Sequence, residues 1–354
     1  MKKLIFSLAI LALAVVACQP NSDEVVPNQE VATIDMSDFY VYTDSDLEKH
    51  SSDAKNNKCQ SMKVLNRLLK ENPGLENRMF DIEKHTRTYI YFKGKPKNPG
   101  GGNGGGNTPT PIPTPYTGTI TIPVVVNILE DPAHPVSQAH IVSQIAILND
   151  DFNNNNSNTG NVPLEFASLV ADTEITFTLA AVNRKASSKS EWGTNDAMKL
   201  ASEGGIDATD PAHNLNFWVC EIGGGILGYA QFPGGTSATD GVVIGSDYFG
   251  ENTTGGVYGY GRTATHEVGH WLNLRHIWGD GRCRQDDFVA DTPSSDGANY
   301  GCPSYPTVNC KSNDMTMNYM DYTDDNCMYM FSNGQNDRMR TIFASGGSRV
   351  SFVQ

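Results

Sequence analysis

Extended basic stretches are missing from this 354-residue chain, in which 26 Lys and Arg stand against 40 Asp and Glu for a net charge of −14 and a pI near 4.9. That balance excludes the electrostatic footprint of a nucleic-acid-binding protein. The apolar run at residues 4–16 is too short for a stable membrane span. No internal repeat is visible, so the length reads as one large or two medium domains.

What is present begins with an export signal over residues 1–17: Lys2 and Lys3, the apolar core, then a small residue before Cys18. Val15-Val16-Ala17-Cys18 looks like a bacterial lipobox, in which Cys18 is lipid-modified after signal cleavage; the plainer alternative is an ordinary signal peptide that happens to contain a Cys. Ser22-Asp23-Glu24 resembles the acidic surface-export tags of some Gram-negative lipoproteins. The expected location is an exported lipoprotein of the outer membrane or cell surface, or a secreted protein. Membrane attachment is expected only through that lipid.

Residues 18–50 are polar and acidic and read as a disordered tether, with order beginning near Cys59. Apolar residues at 62–69 share a helical face that Asn72-Pro73-Gly74 stops. A short helix to about Glu83 and a strand at 88–92 complete a small piece over 51–98. Gly, Asn, Thr and Pro fill a linker at 99–116, and the main domain spans 117–354. There the patterning predicts strands at 119–129, 174–182, 216–222, 227–232 and 241–245. Helices are predicted at 138–152, from about 263, and at 335–344, with a loop-rich stretch between the last two.

The chemistry lies in His266-Glu267-Val268-Gly269-His270, followed by Asn273, His276 and Met320-Asp321-Tyr322. On a helix, positions i and i+4 share a face, so His266 and His270 can aim at one metal while Glu267 sits beside its open position. His276 joins them only if the chain turns sharply after Leu272, and Asn273 stands where a left-handed turn is needed. With three neutral imidazoles a zinc ion keeps one open position, and Glu267 is the expected general base and then acid of amide hydrolysis.

The pattern resembles the HExxHxxGxxH signature and Met-turn of the metzincins, with Asn273 in place of the usual Gly. Gly261-Arg262-Thr263, Leu274 to Asp280, Asp291-Thr292-Pro293 and Asn318 to Tyr322 narrow the resemblance to the pappalysin family, from about Thr119 to the C-terminus. It implies an α+β fold with a metzincin-type zincin catalytic domain: a twisted mixed sheet with two helices above the cleft, and an irregular lower part closed by a C-terminal helix. The 51–98 piece becomes a pro-segment ahead of it.

The resemblance also implies roles. Met320 floors the three imidazoles without touching the metal. Tyr322 either ligates zinc or hydrogen-bonds the tetrahedral intermediate, or is simply packed. Asp280, Asp286, Asp287 and Asp291 gather acidic oxygens; Asp287 and Thr292 best match a structural calcium site, against a merely solvated loop. Of the seven cysteines, Cys283, Cys302, Cys310 and Cys327 allow three pairings, and the family's spacing favours Cys283 with Cys310 and Cys302 with Cys327. Cys220 reads as a free core thiol beside Trp218. Cys59 is either a latency switch that fills the fourth zinc position, a stray thiol, or a partner for Cys220.

The expected protein is thus a zinc endopeptidase acting as a monomer on extracellular proteins or peptides. An extended substrate would pair antiparallel along 227–232. The competitors are an inactive cell-surface binding protein that keeps the fold and a zinc enzyme for non-peptide amides.

Overall fold

The computed structural model describes residues 33–43, 58–93 and 112–354; the export signal, Cys18, and most of the tether and linker lie outside them. From Ile34 onward the described residues fall in one compact unit. Among them, no helix is long and apolar enough to cross a membrane.

Strand β1 (Ile120–Glu130) is buried along nearly its whole length because it is paired on both sides, parallel to β2 (Ile175–Ala186) and to β3 (Leu215–Cys220). The short β4 (Gly228–Ala230) pairs antiparallel with β5 (Val242–Gly245), which lies parallel to β3. The resulting order is β2-β1-β3-β5-β4, a mixed five-stranded sheet with β4 at its rim.

Side chains alternate between the two faces. Val124, Val126, Phe217, Val219, Val242 and Ile244 pack in one core with residues of α3 (Gln138–Phe152) and α4 (Arg262–Trp271). Trp218, Cys220, Tyr229 and Val243 belong to a second core, shared with Met62, Val64, Leu65, Leu68 and Leu69 of α1 (Ser61–Glu71). One of the two cores of the unit is therefore built partly from the segment ahead of the linker.

That segment departs from expectation at both ends. The run 88–92, expected as a strand, is the last part of an 18-residue helix α2 (Leu75–Phe92). The hydroxyls of Thr86 and Thr88 donate to the carbonyls of Ile82 and Lys84, satisfying within the helix the groups that make Thr a strand former elsewhere. Residues 33–43, expected in a disordered tether, are packed: Val41 is 2% exposed, and the Tyr40 phenol donates to Gly279 O at 2.7 Å and Asp286 O at 2.8 Å. The Arg275 guanidinium lies over both the Tyr40 and Phe288 rings, so cation–π attraction holds this piece where charge alone gave no hint.

α2 docks on α5 (Asn333–Thr341), which starts two residues earlier than the apolar pattern indicated because Ser332 and Gln335 form a capping box. Between the helices Glu83 and Arg338, both about 97% buried, make a two-pronged ion pair with contacts of 2.5 and 3.2 Å. The lower part contains only two-residue strands: β6 (Tyr300–Gly301), β7 (Val308–Asn309), β8 (Ser312–Asn313) and β9 (Tyr322–Thr323). Disulfides Cys283–Cys310 and Cys302–Cys327 cross-link this region, while Cys59 and Cys220 are unpaired.

Candidate metal centre

α4 is buried on all sides. Ala264, Val268 and Trp271, spaced at four and three, enter the core, leaving His266, Glu267 and His270 for the opposite face. Gly269 lies over the Met-turn, where a Cβ would meet Met320 Sδ at 2.4 Å. Only glycine lets helix and turn approach so closely.

The helix ends in a left-handed cap: Asn273 has φ 76°, its N–H donates to His270 O, and Leu274 N–H donates to Gly269 O, both at 2.9 Å. This turn carries out two tasks. It points Leu274 O at His270 Nδ1, 2.8 Å away, and it swings His276 back beside the helix. The Asn273 carbonyl is held in turn by Arg338 Nε at 2.8 Å.

Each imidazole has its Nδ1 engaged. His266 Nδ1 donates to Tyr319 O at 2.7 Å, His270 Nδ1 to Leu274 O, and His276 Nδ1 meets the Asp280 carboxylate. Carbonyls only accept, so the Nε2 atoms of His266 and His270 are left with free lone pairs. Burial, then repulsion from His276, holds the His266 pKa down at about 3, and His270 is pushed well below the ordinary range for the same reasons. These rings are neutral, as ligands must be.

The three Nε2 atoms converge, 3.1 Å between His270 and His276 and 3.2 Å between His276 and His266. A tetrahedral zinc with Zn–N near 2.05 Å sets its nitrogen corners roughly 3.3 Å apart, so the residues present fit that ion. Cys59 Sγ lies 3.5 Å from His270 Nε2, about the sulfur–nitrogen corner distance expected with Zn–S near 2.3 Å. All four ligand atoms fall within 4.8 Å of one another.

Glu267 is 1% exposed, and burial raises its pKa to about 7 against the lowering effect of a hydrogen bond from Ser61. Ser61 Oγ donates to Glu267 Oε2 at 2.7 Å and accepts from Ala230 N–H, also at 2.7 Å. Residues 58–60 lie beside β4 in parallel: Leu227 N–H donates to Lys58 O at 2.9 Å and Gln60 N–H to Gly228 O at 3.1 Å. The rim along which an antiparallel substrate was expected is thus covered by the chain's own segment running the other way.

Tyr322 packs edge-on against His276, with ring centres 4.8 Å apart, and its phenol points at Cys59 O at 3.4 Å. The Trp278 ring stacks on His276 at 4.3 Å. Lys58 Nζ enters a pocket lined by Thr263, Glu267, Tyr258 and Asp325, donates to Tyr322 O at 2.8 Å, and sits 4.0 Å from Asp324. Ser61 and Lys58 carry roles at the site that no local signal marked, since their partners lie more than 200 positions away. Asp280 as the partner of His276 was readable in principle from its i+4 spacing.

The four aspartates proposed to gather do not. Asp280 faces His276, Asp291 holds Ser332 Oγ and Gly334 N–H at the start of α5, and Asp286 caps its own turn at Phe288. Asp287 and Thr292 do meet, with Thr292 Oγ1 within 2.9 Å of both carboxylate oxygens and of Val289 O. Behind α4, buried Asp151 accepts from Thr265 and Tyr319 and so ties the helix to the Met-turn, a support the sequence did not signal.

The family described as pregnancy-associated plasma protein-A matches residues 208–344. An extracellular metalloprotease of Pyricularia oryzae is 35% identical over 222 residues, 59% of this chain and 68% of that protein. The structure of Tannerella forsythia mature mirolysin in complex with a cleaved peptide is 42% identical, covers 67% of this chain and 96% of that one, and superposes with a TM-score of 0.65. For a Tannerella forsythia promirolysin mutant the coverage is 83% of this chain and 96% of that one, at 36% identity and a TM-score of 0.70.

Proposed function

Since the chain belongs to the pappalysin family of metzincin metallopeptidases, we propose that His266, His270 and His276 hold its catalytic zinc and that Glu267 is the general base. The observation that carries this is the convergence of three buried Nε2 atoms beside one buried carboxylate. When bound, zinc supplies Lewis acidity and acidifies water for attack on an amide. Glu267 takes the water proton and returns it to the leaving amine; β4 aligns the substrate backbone; Tyr322 stands ready to donate to the developing oxyanion. Met320 and Asn273 position the ligands without taking part in the reaction. An inactive binding protein would have no need of Glu267 in that place.

The full-length chain is a latent precursor in this reading. Cys59 fills the fourth ligand position, Ser61 occupies Glu267, and the 58–60 segment blocks the rim. Lys58 further supports a preference for a basic side chain next to the scissile bond, because its ammonium already sits in the acidic pocket beside Glu267. Calcium at Asp287 and Thr292 is supported by geometry alone: the Asp287 carboxylate, Thr292 Oγ1 and Val289 O bring oxygens together, part of the six to eight that calcium seeks.

The protein is exported, in keeping with its extracellular relatives, and a lipid on Cys18 would fix it to the outer membrane or cell surface. The site is complete within one chain, so a monomer suffices to act on protein or peptide. Quenched peptides with Lys or Arg after the scissile bond should be cleaved by the processed protein, lost to a chelator and restored by zinc. No cleavage of any peptide by zinc-loaded, processed protein would overturn the reading.

A further inference from the structure

β1, β3 and β5 are neighbouring parallel strands, so their carboxyl ends open on one edge of the sheet. Just past those ends stand His134, Glu221 and Asp247, which the zinc chemistry of the cleft does not use. His134 Nδ1 lies 3.0 Å from Asp247 Oδ2 and 3.7 Å from Glu221 Oε2, and the three ligand atoms all lie within 4.8 Å of one another. Nitrogen and oxygen ligands around a divalent ion at about 2.1 Å stand roughly 3.0–3.4 Å apart, so a small contraction would close the triad on an ion.

Simple pairing of His134 with an acid would need one carboxylate. Here Asp131 and Glu191 add to Glu221 and Asp247, and the pKa of Glu221 rises, from burial first and, against the opposing pull of His134, from the neighbouring carboxylates. The side chains are 33%, 25% and 25% exposed, open enough for an ion to arrive from solvent. One imidazole with two carboxylates suits a first-row transition ion of the zinc or manganese class, whereas calcium seeks six to eight oxygens.

We propose that His134, Glu221 and Asp247 form a second divalent transition-metal site at the upper edge of the sheet. Its place gives it a consequence for the cleft. Glu221 leads into Gly223, Gly224 and Gly225, of which the last two sit at φ 78° and 72°, and then into Leu227 and Gly228 of the rim. An ion tying Glu221 to the loops after β1 and β5 restrains the near end of that pliable turn.

The test is metal content of the purified full-length chain after equilibration with buffered zinc, read with its thermal midpoint. Wild type should hold two zinc ions and gain midpoint with zinc, while His134→Ala and Asp247→Asn should hold one and gain less. Asp247→Asn keeps the oxygen that accepts from Thr254 at 2.8 Å, so it tests ligation without disturbing the fold. His266→Ala reports the cleft ion separately and should retain the one at this edge. One ion in wild type, or two in both edge variants, would overturn the proposal.

Discussion

Glu267 and the imidazoles flanking it are separable by substitution. Glu267→Ala leaves all three Nε2 atoms in place, so the processed protein should keep its zinc while peptide turnover falls at least 10²–10⁴-fold. Metal analysis beside a turnover assay checks this, and near-normal turnover would remove Glu267 from its role. At this scale the sequence was most legible where chemistry is local. The helical spacing of His266 and His270 and the left-handed Asn273 could be read directly, because neighbours along the chain determine them. Ser61 could not, because its role exists only once a segment some 200 residues away folds over Glu267.

The element that most exceeds its sequence signal is α2. Aromatic and β-branched residues at 88–92 argued for a strand, and tertiary contact with α5 prevailed. Its Glu83 is raised in pKa by burial, but the charge and hydrogen bonds of Arg338, with help from Arg87, more than offset this and hold it below the usual carboxylate range. A carboxyl group depressed in the folded state contributes stability above its unfolded pKa of about 4.3 and loses it as pH falls through the lower folded value. The thermal midpoint of the uncleaved chain should therefore fall in acid below about pH 4. Glu83→Gln, which leaves Arg338 buried without its countercharge, should cost about 3–5 kcal/mol and flatten that dependence. A pH series of melting curves for both proteins measures it; equal slopes would assign the acid transition to other groups. Just ahead of α1, Cys59→Ala frees the fourth ligand position but leaves Ser61 on Glu267 and residues 58–60 on the rim, so the uncleaved variant should turn over peptide measurably, though more slowly than processed protein, while wild type stays latent. Equal activity of the two would leave the segment as a spacer or folding aid.

For the whole molecule, the strands of the main domain and the loop-rich lower part follow from patterns and turns that the sequence displays, whereas the order in which the strands pair and the way the first segment completes a core do not. The lower part has little regular structure, and its bridges close spans of 27 and 25 residues, each worth about 3–4 kcal/mol by loop entropy. Reduction should thus lower the thermal midpoint, and a melting curve with and without reductant tests it.

Direction of travel matters as well. Residues 58–60 lie along β4 in the sense opposite to the antiparallel substrate proposed for that rim, so the chain that fills the cleft would present its bonds backwards to Glu267. A molecule in this state is a poor substrate for itself, and its own machinery is blocked while it waits. On that reading a latent molecule is cut by one already released. Self-processing should accordingly show a lag, accelerate as product accumulates, and slow steeply on dilution, so that how densely molecules are crowded on a surface sets the time at which they switch on.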